Sequence, residues 1–179
     1  GLVVLDEAYA DFSSQGSMLD LLSTYPNLAI IQTLSKAYGM AGLRLGLGFG
    51  SPELVAILNK IKPPYNVSQS TQDLVLDRLI NPEETKRQIN EIVLNREILS
   101  NFLLSSTLFD RVFPSEANFI LVQSDKYMEL YNYLCEQGVV VRVRNIPPLL
   151  NQGLRFTVGN QHENEALMKH ITKFETLTL

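Results

Sequence analysis

The chain has 179 residues, 45% of them apolar, which is enough for one medium-sized domain or two small ones around a buried core. Its net charge of -4 argues against a basic face for nucleic acid. Its one cysteine, Cys135, excludes an internal disulfide and fits a reducing, cytoplasmic compartment, and no apolar run reaches membrane-spanning length. Residues 1–9, Gly1-Leu2-Val3-Val4-Leu5-Asp6-Glu7-Ala8-Tyr9, read as a buried parallel strand with a carboxylate at its carboxyl end. Residues 11–16 are polar and loop-like, and residues 18–22 predict a short helical turn. Residues 28–33 predict a second strand leading into Ser35-Lys36, and residues 43–50 a third. Gly46, Gly48 and Gly50 alternate along that third strand as close packing would require. Ser51-Pro52-Glu53 supplies an N-cap, a first-turn proline and an acid for a helix running to about residue 61. Lys62 to Tyr65 form a Pro-Pro break, and Ser68 or Ser70 caps the next helix.

Asn81-Pro82 opens a long helix with Ile89, Ile92, Val93, Leu99 and Leu103 on one face. A domain boundary is expected near Pro82, giving domains 1–82 and 83–179. Residues 109–113 and 118–123 read as short strands. Residues 126–137 read as a helix with Tyr127, Leu130, Tyr131 and Leu134 on one stripe and Cys135 in the core. Residues 139–143 read as a strand, 145–153 as a loop around Pro147-Pro148, 154–158 as the last strand, and 163–175 as the final helix. Together these make a small α/β layer. His162 and His170 have no ligand-spaced partners, so no metal is expected.

The chemistry concentrates in Thr33-Leu34-Ser35-Lys36-Ala37-Tyr38-Gly39-Met40-Ala41-Gly42-Leu43-Arg44-Leu45-Gly46. A deprotonated lysine forms an imine with an aldehyde. Glycines let the backbone turn and approach a ligand, and an arginine eight positions on offers a fork of donors for a phosphate. Imine former plus phosphate binder is what an enzyme using pyridoxal phosphate (PLP) requires. Asp6 supplies the other half, because ligands of open α/β sheets bind beyond the carboxyl ends of the strands. A carboxylate about 3 Å from a protonated pyridine nitrogen gains about 5 kcal/mol at an effective dielectric near 20, before desolvation. A protonated ring is the electron sink of PLP chemistry. Tyr9 could donate to the ring's phenolic oxygen. The plainer alternatives are a solvated Lys36 after an ordinary turn, and Asp6-Glu7 as a strand-end cap. Arg142 and Arg144 stand two apart on one strand. Only one of them is expected to face a cleft, with Arg142 the choice and Arg144 solvated. Arg155, between Leu154 and Phe156, points away from two apolar neighbours.

Asp6-Glu7-Ala8-Tyr9 followed by Ser35-Lys36-Ala37-Tyr38-Gly39-Met40-Ala41-Gly42-Leu43-Arg44-Leu45-Gly46 resembles a fold-type I PLP-dependent aminotransferase and, more narrowly, the histidinol-phosphate aminotransferases. Lys62 to Ser68, Glu116 to Val122, Gly138 to Arg142 and Leu154 to Gly159 fit the same family. The resemblance implies the C-terminal part of an α/β large domain, with a mostly parallel sheet and flanking helices, joined to a small C-terminal α/β domain. It implies Lys36 as imine former and proton carrier, Asp6 at the pyridine nitrogen and Tyr9 at the phenolic oxygen. It implies Ser35 and Arg44 on the cofactor phosphate. Arg155 is implied at the substrate's polar end, Arg142 at its phosphate, and Asn118 near the substrate. It also places Tyr65 and Asn66 near the mouth of the site, where the alternative is an ordinary rigid loop. The expected reaction moves an amino group between a phosphorylated amino alcohol, histidinol phosphate, and a 2-oxo acid, 2-oxoglutarate, in a cytoplasmic homodimer. Further alternatives are an aromatic aminotransferase, a threonine-phosphate decarboxylase, or an inactive domain fragment. With no initiator Met and a start inside a strand, the chain reads as the C-terminal half of a longer enzyme.

Overall fold

The computed structural model describes residues 1–178. The chain divides into two compact units, Gly1–Ile89 and Asn90–Leu179. That division falls inside a long helix that begins at Pro82, the residue from which the sequence draws its boundary.

In the first unit, β1 (Val3–Asp6), β2 (Leu28–Thr33) and β3 (Gly46–Gly50) form a sheet in that order. β1 runs parallel to β2 and β3 antiparallel to it, so the sheet is mixed. β2 is the central strand, and its Leu28 and Ile30 are buried, as is Phe12. Within this chain the expected burial of β1 is not met: Val3 and Val4 are about half exposed. β1 is an edge strand, and an apolar run acquires cover only from what packs on it. β3 starts later than predicted because residues 41–43 form a 3₁₀ turn and Arg44 adopts a left-handed backbone, φ 54°. Two helices follow, α1 (Pro52–Ile61) and α2 (Gln69–Leu79), with Ser51 Oγ and Ser68 Oγ accepting from the Leu54 and Thr71 amides. Val75 of α2 packs with Leu34 and Met40, which flank the Lys36 turn. The helix α3 (Pro82–Ser105) leads into the second unit.

That unit contains β4 (Arg111–Val112), β5 (Phe119–Gln123), α4 (Tyr127–Glu136), β6 (Arg142–Ile146), β7 (Leu150–Thr157) and α5 (Gln161–Thr178). Its antiparallel sheet has the order β4-β5-β7-β6. Ile120, Val122, Leu154 and Phe156 from the sheet meet Leu99, Leu130, Leu134, Leu167 and Ile171 from the helices in one core. Two expectations change here. Residues 139–141 are not strand, because Gly138 (φ +78°) closes α4 and the Val139 amide donates 2.8 Å back to the Leu134 carbonyl. That is a Schellman-type cap, and it delays β6 to Arg142. Residues 145–153 are not a free loop: β6 and β7 form a hairpin turning at Pro147-Pro148, closed by the Gln152 amide donating 2.7 Å to Asn145 Oδ1. Cys135, expected in the core, lies on the exposed side of α4.

Candidate active site

The parallel pairing of β1 with β2 sets the geometry of the first unit's cluster. Asp6 is in register with Ile31, so both side chains leave the same face of the sheet. Five residues beyond Ile31 lies Lys36, in a turn held by apolar neighbours. Leu34, Ala37 and Met40 are buried while Lys36 itself is exposed. The Met40 amide donates to the Leu34 carbonyl at 3.0 Å and the Gly39 amide to the Lys36 carbonyl at 3.1 Å. Gly39 sits at φ +68°, a backbone that a side chain would strain. Lys36 Nζ lies 5.6 Å from the centroid of the Tyr9 ring. Asp6 Oδ1 accepts from the Ala8 amide at 3.0 Å. The Ser35 amide donates to Thr33 Oγ1 at 3.1 Å, and the Arg44 guanidinium to the Ala41 carbonyl at 3.0 Å. Tyr65 is 98% exposed with φ 57°, on the Pro-Pro loop.

One residue here escapes a reading by motif. Glu7 is buried, and its carboxylate accepts from Ser17 Oγ at 2.6 Å, the Met18 amide at 2.7 Å and Gln32 Nε2 at 2.9 Å. Burial pushes its pKa up, and the hydrogen bonds from Ser17, Gln32 and Met18 more than offset this, leaving it below the ordinary 4.5. The available signal was register: Glu7 follows Asp6 as Gln32 follows Ile31, so the two share the opposite face.

In the second unit, Arg142 is paired directly with Arg155 across β6 and β7, and Arg155 with Leu121 across β7 and β5. The Arg155 guanidinium sits 4.9 Å from the centroid of the Phe119 ring. Leu154 and Phe156, on the other face, are fully buried. The expectation that Arg142 and Arg144 face apart is wrong. Residues two apart on a strand share a face, and Arg144 is the less exposed of the two. Three arginines therefore share one side of the sheet. Asn118 stands at the entry to β5, where its carbonyl accepts from the Val158 amide at 2.9 Å. A cavity of about 380 Å³ elsewhere in this unit is lined by Val139, Val141, Thr157, His162, Glu163 and Asn164, none of them among the proposed cofactor or substrate residues. Among the described residues no cluster of three or more His, Cys, Asp or Glu is arranged to hold a metal, and no helix is long and apolar enough to cross a membrane.

The donor set of the first unit suits PLP: a primary amine for the aldehyde, a carboxylate for the ring nitrogen, a phenol, and a hydroxyl and guanidinium for the phosphate. The family model for aminotransferase class I and II matches residues 1–171, and the chain belongs to that family. Among curated relatives, it is 47% identical over 171 residues to the histidinol-phosphate aminotransferase of Flavobacterium johnsoniae, covering 96% of this chain and 49% of that protein. It is 48% identical over 169 residues to that of Parabacteroides distasonis, covering 94% of this chain and 49% of that protein. The chain thus spans about half the length of the curated relatives it matches. Among solved structures, the histidinol-phosphate aminotransferase from Clostridium acetobutylicum superposes with a TM-score of 0.89 at 22% identity, covering 98% of this chain and 55% of that one. The Sinorhizobium meliloti enzyme in complex with pyridoxal-5'-phosphate gives 0.83 at 24% identity, covering 99% and 50%. These structural likenesses establish the fold, that of PLP-dependent aminotransferases.

Proposed function

We propose that this chain is part of a PLP-dependent aminotransferase that moves an amino group between L-histidinol phosphate and 2-oxoglutarate in histidine biosynthesis. The carrying observation is the parallel register of β1 and β2, which sends Asp6 and the Lys36 turn to the same end of the sheet, with the Tyr9 ring 5.6 Å from Lys36 Nζ. When bound, PLP supplies the electron sink. Lys36 would be the amine that holds its aldehyde group and the base that moves a proton at the substrate carbon. Asp6 would keep the pyridine nitrogen protonated, Tyr9 would hydrogen-bond the phenolic oxygen, and Ser35 and Arg44 would bind the phosphate. Arg142 and Arg155 bind the anionic ends of the substrates, and Asn118 is near the substrate in this reading. The complete protein is a cytoplasmic homodimer in this reading. The curated relatives' names and the direct cross-strand pairing of Arg142 with Arg155 support the phosphorylated substrate.

Lys36→Ala in the complete protein tests this reading. Turnover of histidinol phosphate and the near-ultraviolet absorbance of lysine-bound PLP should both vanish. Their persistence would refute the assignment of Lys36. A substrate panel that adds aromatic amino acids and threonine phosphate separates the histidinol-phosphate reaction from its relatives.

A further inference from the structure

We propose that Glu7 is a positioning residue: its carboxylate locks the strand end that carries Asp6 onto the strand end that leads to Lys36. The inference rests on the reading of Asp6 and Lys36 as cofactor ligands. Side chains alternate along a strand, so Asp6 and Glu7 leave opposite faces of β1. Asp6 faces the open side while Glu7 is held below it. β1 has four residues, and within this chain Val3 and Val4 are about half exposed. Polar contacts take over at its carboxyl end. The Glu7 amide donates to the Ile31 carbonyl at 2.8 Å, adding a rung to the ladder past Asp6. The Glu7 carboxylate reaches Gln32 Nε2 at 2.9 Å, four residues before Lys36. Through Ser17 Oγ and the Met18 amide it also ties down the connection between the strands. On the other side the Glu7 carbonyl accepts from the Ala10 amide at 3.1 Å, closing the turn that presents Tyr9 to Lys36.

The three groups that hydrogen-bond the carboxylate, Ser17 Oγ, the Met18 amide and Gln32 Nε2, all donate to it, the Asp11 carboxylate being the one acidic neighbour it acts on, and an ionised carboxylate is acceptor-only. Glutamine keeps the shape but sets an amide N–H against one of those donors. It therefore loosens the clamp without emptying the site. A shift on the order of 1 Å between reacting groups costs up to about a hundredfold in rate.

The experiment compares Glu7→Gln and Gln32→Ala in the complete protein, with Glu175→Gln as a control for destabilisation. Glu175 has a similar hydrogen-bonding role, with Thr107 and Ser106 in the second unit. The readouts are the apoprotein melting temperature, the dissociation constant for added PLP from absorbance titration, and kcat and KM separately. Glu7→Gln should weaken PLP binding and lower kcat by about tenfold or more with KM little changed. Gln32→Ala should do the same to a smaller degree and carries the test if Glu7→Gln does not fold. Glu175→Gln should lower the melting temperature while PLP affinity and kcat stay within about twofold. The proposal is overturned if the foldable clamp variant keeps PLP affinity and kcat within about twofold of the parent, or if Glu175→Gln loses both to the same extent at equal destabilisation. Failure of the parent protein to bind PLP would overturn the functional reading itself. A parent that binds PLP through Lys36, with an unaffected clamp variant, would overturn the role of Glu7 alone.

Discussion

Replacing Arg142 by Gln should cost the protein substrate affinity without costing it stability. Arg142 lies directly across from Arg155 in the β6–β7 ladder, where Cβ atoms of antiparallel partners are about 5 Å apart. Like charges so placed repel, so in the absence of ligand the substitution should leave stability unchanged or raise it by up to about 1 kcal/mol. With a phosphate between the two guanidiniums the sign reverses. A charge-assisted hydrogen bond contributes about 1.5–3 kcal/mol, which corresponds to a loss of about 10- to 150-fold in kcat/KM for histidinol phosphate. The assay is kcat/KM for histidinol phosphate and for histidinol without its phosphate, beside urea unfolding of the apoprotein. The phosphorylated substrate should lose most of its advantage while the phosphate-free one changes little. An equal loss on both substrates, or a less stable apoprotein, would refute the reasoning.

Two further predictions concern what holds the second unit together. Asn164 is buried, its Oδ1 accepting from the Gly159 amide at 3.0 Å and its Nδ2 donating to the Gly159 carbonyl at 3.0 Å. Asn164→Ala strands the part-buried Gly159 N–H two residues after β7 and should destabilise by about 1–3 kcal/mol, read as a lower urea midpoint with unchanged slope. Glu175 has a pKa below the ordinary 4.5, chiefly through the Thr107 hydroxyl and then, against the opposing effect of burial, through the Thr107 amide, Ser106 and the Leu108 amide. A depressed carboxyl contributes stability that is present above its unfolded pKa and lost as pH falls through the folded one. Urea midpoints measured from pH 7 to below pH 4 should therefore fall less steeply for Glu175→Gln than for the parent, and parallel curves would exclude this role.

Much of the fold was legible because local chemistry dictated it. The β-branched run at 28–33 becomes β2 with the same ends, and Ser51 and Ser68 cap their helices through hydrogen bonds that their residue types favour. The errors share a different origin. The valines at 139–141 have strand propensity, yet Gly138 spends the first of them on capping α4, and propensity yields to the cap. Residues 145–153 read as a loop around Pro147-Pro148, yet that pair occupies the turn of a hairpin whose flanks pair on either side. Gly153 fits that hairpin because a Cβ there would sit 2.5 Å from the Arg144 carbonyl, a constraint visible only once the strands are paired.

The candidate site divides along the same line. Lys36, Asp6, Tyr9 and Arg44 stand out because they fall in two short runs, Asp6 with Tyr9 and Lys36 with Arg44, whose residue types are rare in such company. Glu7 does not, since an acid at a strand end is ordinary until its partners are known. Its partner Gln32 is 25 residues away, as the Thr107 partner of Glu175 is 68 residues away. Groups that touch a ligand are selected by residue type, so a motif shows them. Groups that hold those in place are selected by geometry, and any acceptor-only side chain of the right reach can serve. The clamp at Glu7 and the arginine doublet are products of register: one rung past Asp6 and Ile31 in the first unit, one cross-strand pair in the second. A one-residue slip of β1 against β2 would turn Glu7 to the open face and Asp6 to the closed one. Register, more than residue identity, decides which of the two adjacent acids can meet a ring.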